Sequence, residues 1–363
     1  MKICHIITGL GFGGAERLLV NFSNIHSKEH EVYIVYLKEL TALVPELDPA
    51  ITVKYIPLQW NTANKLKKYL AEIKPDVVHT HLGHADLLGL WISRNKPYKL
   101  FCTMHNIWFK WNQIDHFIFV AYRFLLNVWA KRTQVINISR VVQAHVVNTL
   151  RVAPSRAHLL YNGIPALITD PKQASSDLYN ELGIDKNQFN VLFVGRLAPQ
   201  KSITTLLLAA SMLKDKIQNL KVYIVGEGQL EQELKAQCEN LQLNHLVDFR
   251  KPISSPEKYF ACCDVFVLPS IFEGMGIVLL EAFRAKLPVV VSNVEGPKEL
   301  VKDKHTGLVF EPGDHNGLAE RIMTYYDNPG LRTELGKNGF DFYNERFRIE
   351  DYAFNLLKLY TSA

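Results

Sequence analysis

Short apolar and β-branched runs alternate with longer stretches of helical periodicity along the whole chain. This pattern predicts strands at 2–8, 31–37, 76–80, 99–104, 134–138, 190–194, 221–225, 247–250, 265–268, 288–291 and 307–310. Strands of about five residues between helices of ten or more are typical of βαβ units and parallel sheets. Runs such as FNVLFVG at 189–195 are apolar throughout, as strands covered on both faces require.

The alternation is interrupted once, at 162–171 (NGIPALITDP), where glycine, two prolines and polar residues predict a linker. A chain of 363 residues suits two domains. We therefore predict an α/β protein of two Rossmann-like, doubly wound domains, 1–165 and 166–345, facing across a cleft at the carboxyl ends of both sheets. The last segment, 346–363, predicts a helix with an apolar face, expected to pack back on one domain, with the N-terminal domain as first choice.

Charge is distributed unevenly between the two halves. Residues 1–165 contain 19 Lys and Arg against 10 Asp and Glu, whereas 166–363 contain 22 against 26. The basic half favours an anionic partner, but no nucleic-acid-binding motif or basic stripe is present, so we expect no nucleic acid. Five cysteines without a C-x-x-C pair indicate reduced thiols and a cytoplasmic protein. The longest apolar segment, 117–130, is too short and too polar to span a bilayer.

A glycine-rich loop follows the first predicted strand and opens a helix. Gly9, Gly11 and Gly14 formally match the dinucleotide-binding pattern G-x-G-x-x-G, but Glu39 lies too far along the chain to be its acidic partner. A dehydrogenase would rest on these glycines alone. A tight turn without a ligand and a general anion site at a helix N-terminus both remain open.

The strongest constellation lies between 191 and 281. Arg196 and Lys201 follow a predicted strand, where the two cations suit phosphate groups. Further on, a strand, a loop and a helix place the helix N-terminus at 274–277 (GMGI), between Glu273 and Glu281. Free backbone N–H groups there favour an anion, and the two carboxylates suit sugar hydroxyls. Together they predict a nucleotide-sugar site.

These motifs, in this order, resemble glycosyltransferase family 4, a family of retaining enzymes with the GT-B fold. The resemblance extends over nearly the whole chain and includes GGAER at 13–17, IVGEG at 224–228, the E-x7-E motif and GLVFEPGD at 307–314. It implies that the N-terminal domain serves the acceptor side and the C-terminal domain holds the nucleotide-sugar donor.

The resemblance also implies residue roles. It assigns the diphosphate to Arg196 and Lys201, the ribose to Glu281 and the transferred sugar to Glu273. The helix N-terminus and further positions complete the donor site: Gly13, Gly14, Ile253, Gly274, Met275, Gly276 and Ile277, with Gly13 and Gly14 against the diphosphate and Ile253 near the base. His105, after a strand of the N-terminal domain, matches the family's histidine near the donor sugar; an N-cap or packing role is the alternative. Two departures, Ser202 in place of a common Gly and Met275 in place of a common Phe, affect the expected sugar pocket.

A group of three histidines has a pattern that resembles a metal-binding site. His79, His81 and His84 lie in HTHLGH, and the first two share a strand face, but no acidic or cysteine ligand is fixed nearby. We expect these histidines to pack or to line the cleft, and we expect no metal and no other cofactor. Arg196, Lys201 and the helix N-terminus can themselves neutralise a departing diphosphate.

An aromatic and basic segment extends from Trp108 to Arg132. Two interpretations fit this composition. The side chains pack in the domain core and between helices, or they form a membrane-surface or lipid-acceptor groove. The resulting prediction is a metal-independent, cytoplasmic hexosyltransferase, peripheral at the membrane, that uses a nucleotide-sugar, UDP being the first choice. Its predicted acceptor is a glycan, free or on a polyprenyl carrier. The alternatives are a UDP-sugar 2-epimerase, which would release a free sugar, and a non-catalytic nucleotide-sugar-binding protein, which would neither transfer nor hydrolyse the donor.

Overall fold

The computed structural model describes residues 1–106, 113–167, 176–253 and 255–362. The chain forms two compact units. Unit 1 consists of residues 1–165 together with 349–363, and unit 2 consists of residues 166–348. No helix among the described residues combines the length and apolar character needed to cross a membrane.

Unit 1 contains a seven-stranded parallel sheet in the order β3-β2-β1-β4-β5-β6-β7. The strand order reverses direction between β1 and β4, because β2 and β3 extend on one side and β5 to β7 on the other. The central strands are buried because helices cover both faces, and most of their residues are apolar. The strands are β1 Lys2–Ile7, β2 Glu31–Tyr36, β3 Thr52–Tyr55, β4 Val77–His81, β5 Lys99–Met104, β6 Gln134–Asn137 and β7 Ala157–Leu159.

Helices surround this sheet. The first ones are α1 Gly14–His26, α2 Thr62–Ile73, α3 Gly83–Ile92, α4 Gln113–Phe124 and α5 Arg140–Asn148. A π-helical turn, Leu125–Trp129, continues α4. The last helix of the chain, α14 Ile349–Ser362, belongs to unit 1 and packs on α1. Its Tyr352, Leu356 and Tyr360 are buried in the same apolar cluster as Phe22 and Phe101.

Unit 2 contains a six-stranded parallel sheet in the order β10-β9-β8-β11-β12-β13, which reverses between β8 and β11. Its strands are β8 Phe189–Val194, β9 Leu220–Val225, β10 Val247–Arg250, β11 Val265–Leu268, β12 Val289–Ser292 and β13 Leu308–Phe310. Its helices are α6 Ser176–Leu182, α7 Ile203–Leu213, α8 Glu231–Asn240, α9 Glu257–Cys262, α10 Ile277–Arg284, α11 Glu295–Lys298, α12 His315–Asp327 and α13 Pro329–Arg346.

All of the predicted strands are observed, each with ends within one residue of the expected ones. Strands β3 and β7 were not predicted, because they are the two edge strands of unit 1 and lack an apolar run on both faces. Helices α6, α7 and α11 were not predicted either. The sequence of α7, ITTLLLAASML, is apolar on nearly every side, so that no helical periodicity marks it.

Candidate functional site

The loops that follow β8 and β11 lie at the point where the strand order of unit 2 reverses. In open α/β sheets, ligands bind outside the carboxyl ends of the strands at such a point, because the two neighbouring loops diverge and leave a crevice. These loops carry most of the donor-binding residues expected from the sequence. The topology of unit 2 therefore brings residues 195–202 and 269–276 to one edge of the sheet.

The β8 loop is held by the loop that follows β9. Gly195 N–H donates to the Val225 carbonyl at 3.0 Å, and Leu197 N–H donates to the Glu227 carbonyl at 2.9 Å. The backbones approach so closely that a Cβ on Gly226 would be 1.9 Å from the Gly195 carbonyl oxygen. This contact fixes the backbone on which Arg196 stands, while the Arg196 side chain itself is exposed.

Lys201 and Glu273 form the central contact of the site. The Lys201 ammonium donates to the Glu273 carboxylate, and the two side chains are 13% and 9% exposed. Ser270 Oγ donates to the same carboxylate oxygen at 2.7 Å. Two donors thus orient a nearly buried carboxylate, which in turn holds the ammonium at the carboxyl edge of the sheet. A pair that is this little exposed needs such additional hydrogen bonds to offset the loss of solvation.

Neighbouring groups fix the β11 loop around this pair. Ser292 Oγ at the end of β12 donates to the Ser270 carbonyl. A Cβ on Gly296 would be 2.5 Å from the Glu273 carbonyl oxygen, so a larger residue there would displace the loop. Ile271 N–H donates to the Gln200 carbonyl at 2.8 Å and joins the β11 loop to the β8 loop.

Helix α10 begins directly after this loop. Its N-cap is Gly276, with φ +82°, a backbone conformation that favours glycine, and glycine has no side chain with which to cap the helix. The first backbone N–H groups and the positive end of the helix dipole therefore adjoin the Glu273 loop. Glu281 lies about one turn into the helix and is half-buried, and Met275 is buried.

Two further positions of unit 2 bear on the expected site. Ser202, where a glycine was expected, has φ +47° and precedes α7, which explains on backbone grounds why glycine suits that position. Ile253 is half-buried beyond the end of β10. Residue 254 lies outside the described part of the chain.

In unit 1, the glycine loop after β1 begins at the analogous reversal of the strand order, next to β4. Gly13 is the N-cap of α1, and a Cβ on it would be 2.1 Å from the Glu16 carboxylate. Glu16, the third residue of the helix, therefore folds back over the helix N-terminus, close to Gly13 and Gly14. Leu10 N–H donates to the Leu40 carbonyl at 2.7 Å, so the β2 loop supports the glycines.

The three histidines of HTHLGH do not form one cluster in the structure. His79 and His81 are buried with ring centroids 4.1 Å apart, but His84 is exposed. Their true neighbour is His5 of β1, a residue the sequence analysis missed because only the pairing of β1 with β4 brings it alongside. His5 Nδ1 and His81 Nε2 are 3.3 Å apart.

One nitrogen from each of His5, His79 and His81 lies within 4.8 Å of the others, so the three could hold a metal ion in principle. Both nitrogens of His79 are already engaged, however: Nδ1 is 2.5 Å from the Tyr360 hydroxyl, and Nε2 is 2.7 Å from Thr103 Oγ1. A metal would have to displace one of these partners. Burial lowers the pKa of all three rings, so the cluster is neutral at pH 7.

His105 follows β5 and is half-buried. Its ring centroid is 5.9 Å from that of His81, and its Nε2 has no hydrogen-bond partner within the described ranges. Burial lowers the pKa of His105 to about 4, which favours the neutral ring. The residue therefore sits at the carboxyl edge of unit 1 as a neutral imidazole.

Two family models match the two units. "Glycosyltransferase Family 4" matches residues 12–166 and "Glycosyl transferases group 1" matches residues 174–342. The chain is a glycosyltransferase with a family 4 domain followed by a group 1 domain. The glycosyltransferase is 27% identical to UDP-Gal:alpha-D-GlcNAc-diphosphoundecaprenol alpha-1,3-galactosyltransferase of Escherichia coli, over 98% of this chain and 97% of that protein.

Campylobacter jejuni has another relative, N-acetylgalactosamine-N,N'-diacetylbacillosaminyl-diphospho-undecaprenol 4-alpha-N-acetylgalactosaminyltransferase, which is 26% identical over 91% of this chain and 92% of that protein. Among solved structures, HepE of Anabaena in complex with UDP-glucose superposes with a TM-score of 0.86 at 21% identity, over 100% of both chains. WaaG, a glycosyltransferase involved in lipopolysaccharide biosynthesis, superposes with a TM-score of 0.80 at 17% identity. These likenesses establish the GT-B fold of the glycosyltransferase.

Proposed function

We propose that this glycosyltransferase moves a hexose or N-acetylhexosamine from a UDP-sugar to a hydroxyl of a lipid-linked glycan, with retention of the anomeric configuration. The observation that carries the proposal is the Lys201–Glu273 pair beside the N-terminus of α10, at the strand-order reversal of unit 2. The names of the E. coli and C. jejuni relatives support the acceptor class, since both specify a sugar acceptor on diphosphoundecaprenol.

The charges of unit 2 suit a departing nucleoside diphosphate. As the bond between sugar and phosphate breaks, negative charge grows on the diphosphate, and Arg196, Lys201 and the dipole of α10 can stabilise it without reorganising. Glu273 keeps the ammonium positioned before the donor arrives and can then accept a hydrogen bond from the transferred sugar. In our proposal Glu281 binds the ribose and Ile253 lies near the base. From the family resemblance we further expect Gly13, Gly14 and His105 to contact the donor.

We also propose that transfer needs no metal, because these cations take the place that a divalent ion would have beside the diphosphate. EDTA should leave the rate unchanged. Loss of activity on chelation, restored by Mn²⁺ or Mg²⁺, would contradict this part of the proposal and would direct attention to His5, His79 and His81.

The test of the function is a transfer assay with UDP-glucose, UDP-galactose, UDP-GlcNAc and UDP-GalNAc, each with a synthetic sugar on a short polyprenyl diphosphate. We expect one donor to give a product heavier by one sugar, and the anomeric coupling in its NMR spectrum to match that of the donor. Release of a free epimerised sugar without an acceptor would favour the epimerase. Binding of donor with neither transfer nor hydrolysis would favour a non-catalytic protein.

The acceptor class places the reaction at a membrane, and we propose that the protein meets its acceptor at the cytoplasmic face as a peripheral protein. A transfer assay with the same sugar on a water-soluble aglycone tests this part. We expect the lipid-linked acceptor to be used more efficiently when it is embedded in vesicles. Equal use of both acceptors would favour a soluble glycan acceptor instead.

A further inference from the structure

Helix α4 of unit 1 turns an apolar face toward solvent. Phe117 is 74% exposed, Val120 and Phe124 are each 49% exposed, and Val128, in the π-helical turn, is 62% exposed. At about 100° per residue, Phe117, Val120 and Phe124 fall within roughly 60° of arc on one side of the helix, and Val128 follows four residues later in the π-helical turn. We call these four residues the α4 stripe.

The opposite side of the same helix is what holds it to unit 1. Phe119, Tyr122, Leu125 and Leu126 are buried, and Tyr122 donates to Met104 Sδ at the end of β5 at 3.2 Å. The helix is therefore anchored by one apolar face and presents a second one outward. An exposed apolar patch with bulky side chains marks an interaction surface more often than chance exposure.

An aromatic pair lies where the π-helical turn packs on α3. Trp91 of α3 and Trp129 stack with ring centroids 5.0 Å apart and an interplanar angle of 5°, and Trp129 Nε1 donates to the Trp91 carbonyl at 3.0 Å. The Arg94 guanidinium lies 4.2 Å from the Trp129 ring centroid. Stacked tryptophans next to a guanidinium suit the boundary between water and lipid, where an apolar ring and a polar edge are both satisfied.

Charge identifies the partner. The sequence has no Asp or Glu between Asp115 and Asp170, and it has six basic residues there, Arg123, Lys131, Arg132, Arg140, Arg151 and Arg156. Arg123, Lys131 and Arg132 are exposed beside the stripe or just past its end. Apolar side chains with exposed cations beside and after them match a surface of anionic headgroups over hydrocarbon, because each component of the surface then meets its complement.

We propose that the α4 stripe docks unit 1 on an anionic lipid bilayer, with Phe117 and Phe124 inserted at the interface and Arg123, Lys131 and Arg132 on the headgroups. The inference rests on the proposed function, since it adds to a lipid-linked acceptor the surface on which the enzyme would reach it. Docking is sensitive to salt, because ion pairs with headgroups are screened.

The first test is sedimentation with vesicles of phosphatidylcholine containing 30% phosphatidylglycerol, at low salt. We expect the wild type to pellet with these vesicles, and the Phe117→Ser/Phe124→Ser variant to bind on the order of tenfold more weakly. Phe354→Ser is the matched control, because Phe354 is also exposed, at 58%, but lies on α14. Thermal melting should confirm that all three proteins are folded.

The second test separates the charges from the stripe. Lys131→Glu/Arg132→Glu should weaken binding on the order of tenfold or more, since each basic residue near an anionic leaflet contributes about a factor of five. Lys65→Glu/Lys68→Glu, a change of equal charge on α2, is the control and should weaken binding less. Equal binding of the wild type to vesicles of phosphatidylcholine alone would overturn the electrostatic part of the proposal.

Several other outcomes would also decide whether the docking proposal holds. A wild type that stays in the supernatant with both kinds of vesicle, or a stripe variant that pellets like the wild type, would overturn the proposal. Concentration-dependent dimers that Phe117→Ser/Phe124→Ser abolishes, without vesicle binding, would overturn it in favour of a second copy of the chain. The stripe variant should keep its transfer rate on a water-soluble acceptor. Vesicle binding without transfer to any acceptor would sink the proposed function and leave the docking surface intact.

Discussion

The centres of the two sheets have the same topology but carry different polar groups, charged in unit 2 and neutral in unit 1. In unit 2 the strand-order reversal carries Lys201 and Glu273, an ion pair at the carboxyl edge that keeps some contact with solvent. In unit 1 the strands at the reversal carry His5, His79 and His81, which are at most 1% exposed and neutral. The topology determines where polar groups can converge. Whether they bind a ligand or hold the protein together depends on their charge and on how deeply they are buried.

The largest effect that this comparison predicts is on Lys201. We expect Lys201→Ala to lower the transfer rate on the order of 100- to 1000-fold, because the diphosphate loses a charge-assisted contact that strengthens as the bond breaks. Arg196→Ala should have a similar but smaller effect, since its side chain is exposed. Lys216→Ala, an exposed lysine of unit 2 away from the site, is the control. Wild-type turnover in folded Lys201→Ala and Arg196→Ala would remove the site from unit 2.

The second prediction separates the two carboxylates of the E-x7-E motif. If Glu281 binds the ribose, Glu281→Ala should weaken the binding of UDP and of UDP-sugar by a similar factor, on the order of tenfold. Glu273→Ala should weaken the binding of the intact donor more than the binding of UDP, because only the donor carries the sugar from which Glu273 would accept a hydrogen bond. Titration calorimetry of both variants with both ligands measures this difference. Equal losses of UDP and donor affinity in Glu273→Ala would contradict the assignment.

The third prediction tests whether the buried histidines of unit 1 serve stability. Burial lowers the pKa of His26, whose Nε2 is 3.0 Å from the Ala353 carbonyl of α14, to about 4. The unfolded chain therefore binds the proton more tightly. The stabilisation by the neutral ring is complete above about pH 6.5 and is lost as the pH falls toward 4, amounting to about 2 kcal/mol between pH 7 and pH 5.

Urea unfolding at pH 7 and pH 5 measures this loss. His26→Asn, which keeps an N–H donor, should lose about 2 kcal/mol less than the wild type between the two pH values. Asp86 acts in the opposite direction, since burial raises its pKa to about 7, but its effect cancels in the comparison of variant with wild type. His245→Asn changes an exposed histidine of unit 2 and should follow the wild type. The same pH dependence in all three proteins would show that burial against α14 does not lower the pKa of His26.

The smallest expected effect concerns Ser202 in unit 2. Ser202→Gly should raise the free energy of unfolding by about 1 kcal/mol or less, because a left-handed conformation costs a serine more than a glycine. Ser211→Gly, in the interior of α7, should lower it by a similar amount. Thermal unfolding of the two variants measures the sign. Destabilisation by both would mean that the hydrogen-bonding contact between Ser202 Oγ and Thr205 Oγ1, 2.9 Å apart, outweighs the backbone strain.

Sequence reasoning predicted the covered strands well and failed where burial differs from the typical case. β3 and β7 are edge strands without a continuous apolar run, and α7 is buried on nearly every side. Arg196, Lys201 and Glu273 could be placed at one sheet edge because strand ends converge there. The direct contact of Lys201 with Glu273, the supporting hydroxyl of Ser270 and the pairing of His5 with His81 depend on register and rotamer, which no local pattern specifies.

The position of α14 also affects how the chain folds during synthesis. Tyr352, Leu356 and Tyr360 complete a core that Phe22 and Phe101 begin, yet the 183 residues of unit 2 are made in between. At about 5 to 20 residues per second, the N-terminal sheet waits roughly 10 to 40 s for its last helix. During that interval unit 2 can fold alone, while unit 1 remains open at the surface where His26 and His79 will meet α14. Order of synthesis thus makes the domain that begins first the one that is finished last.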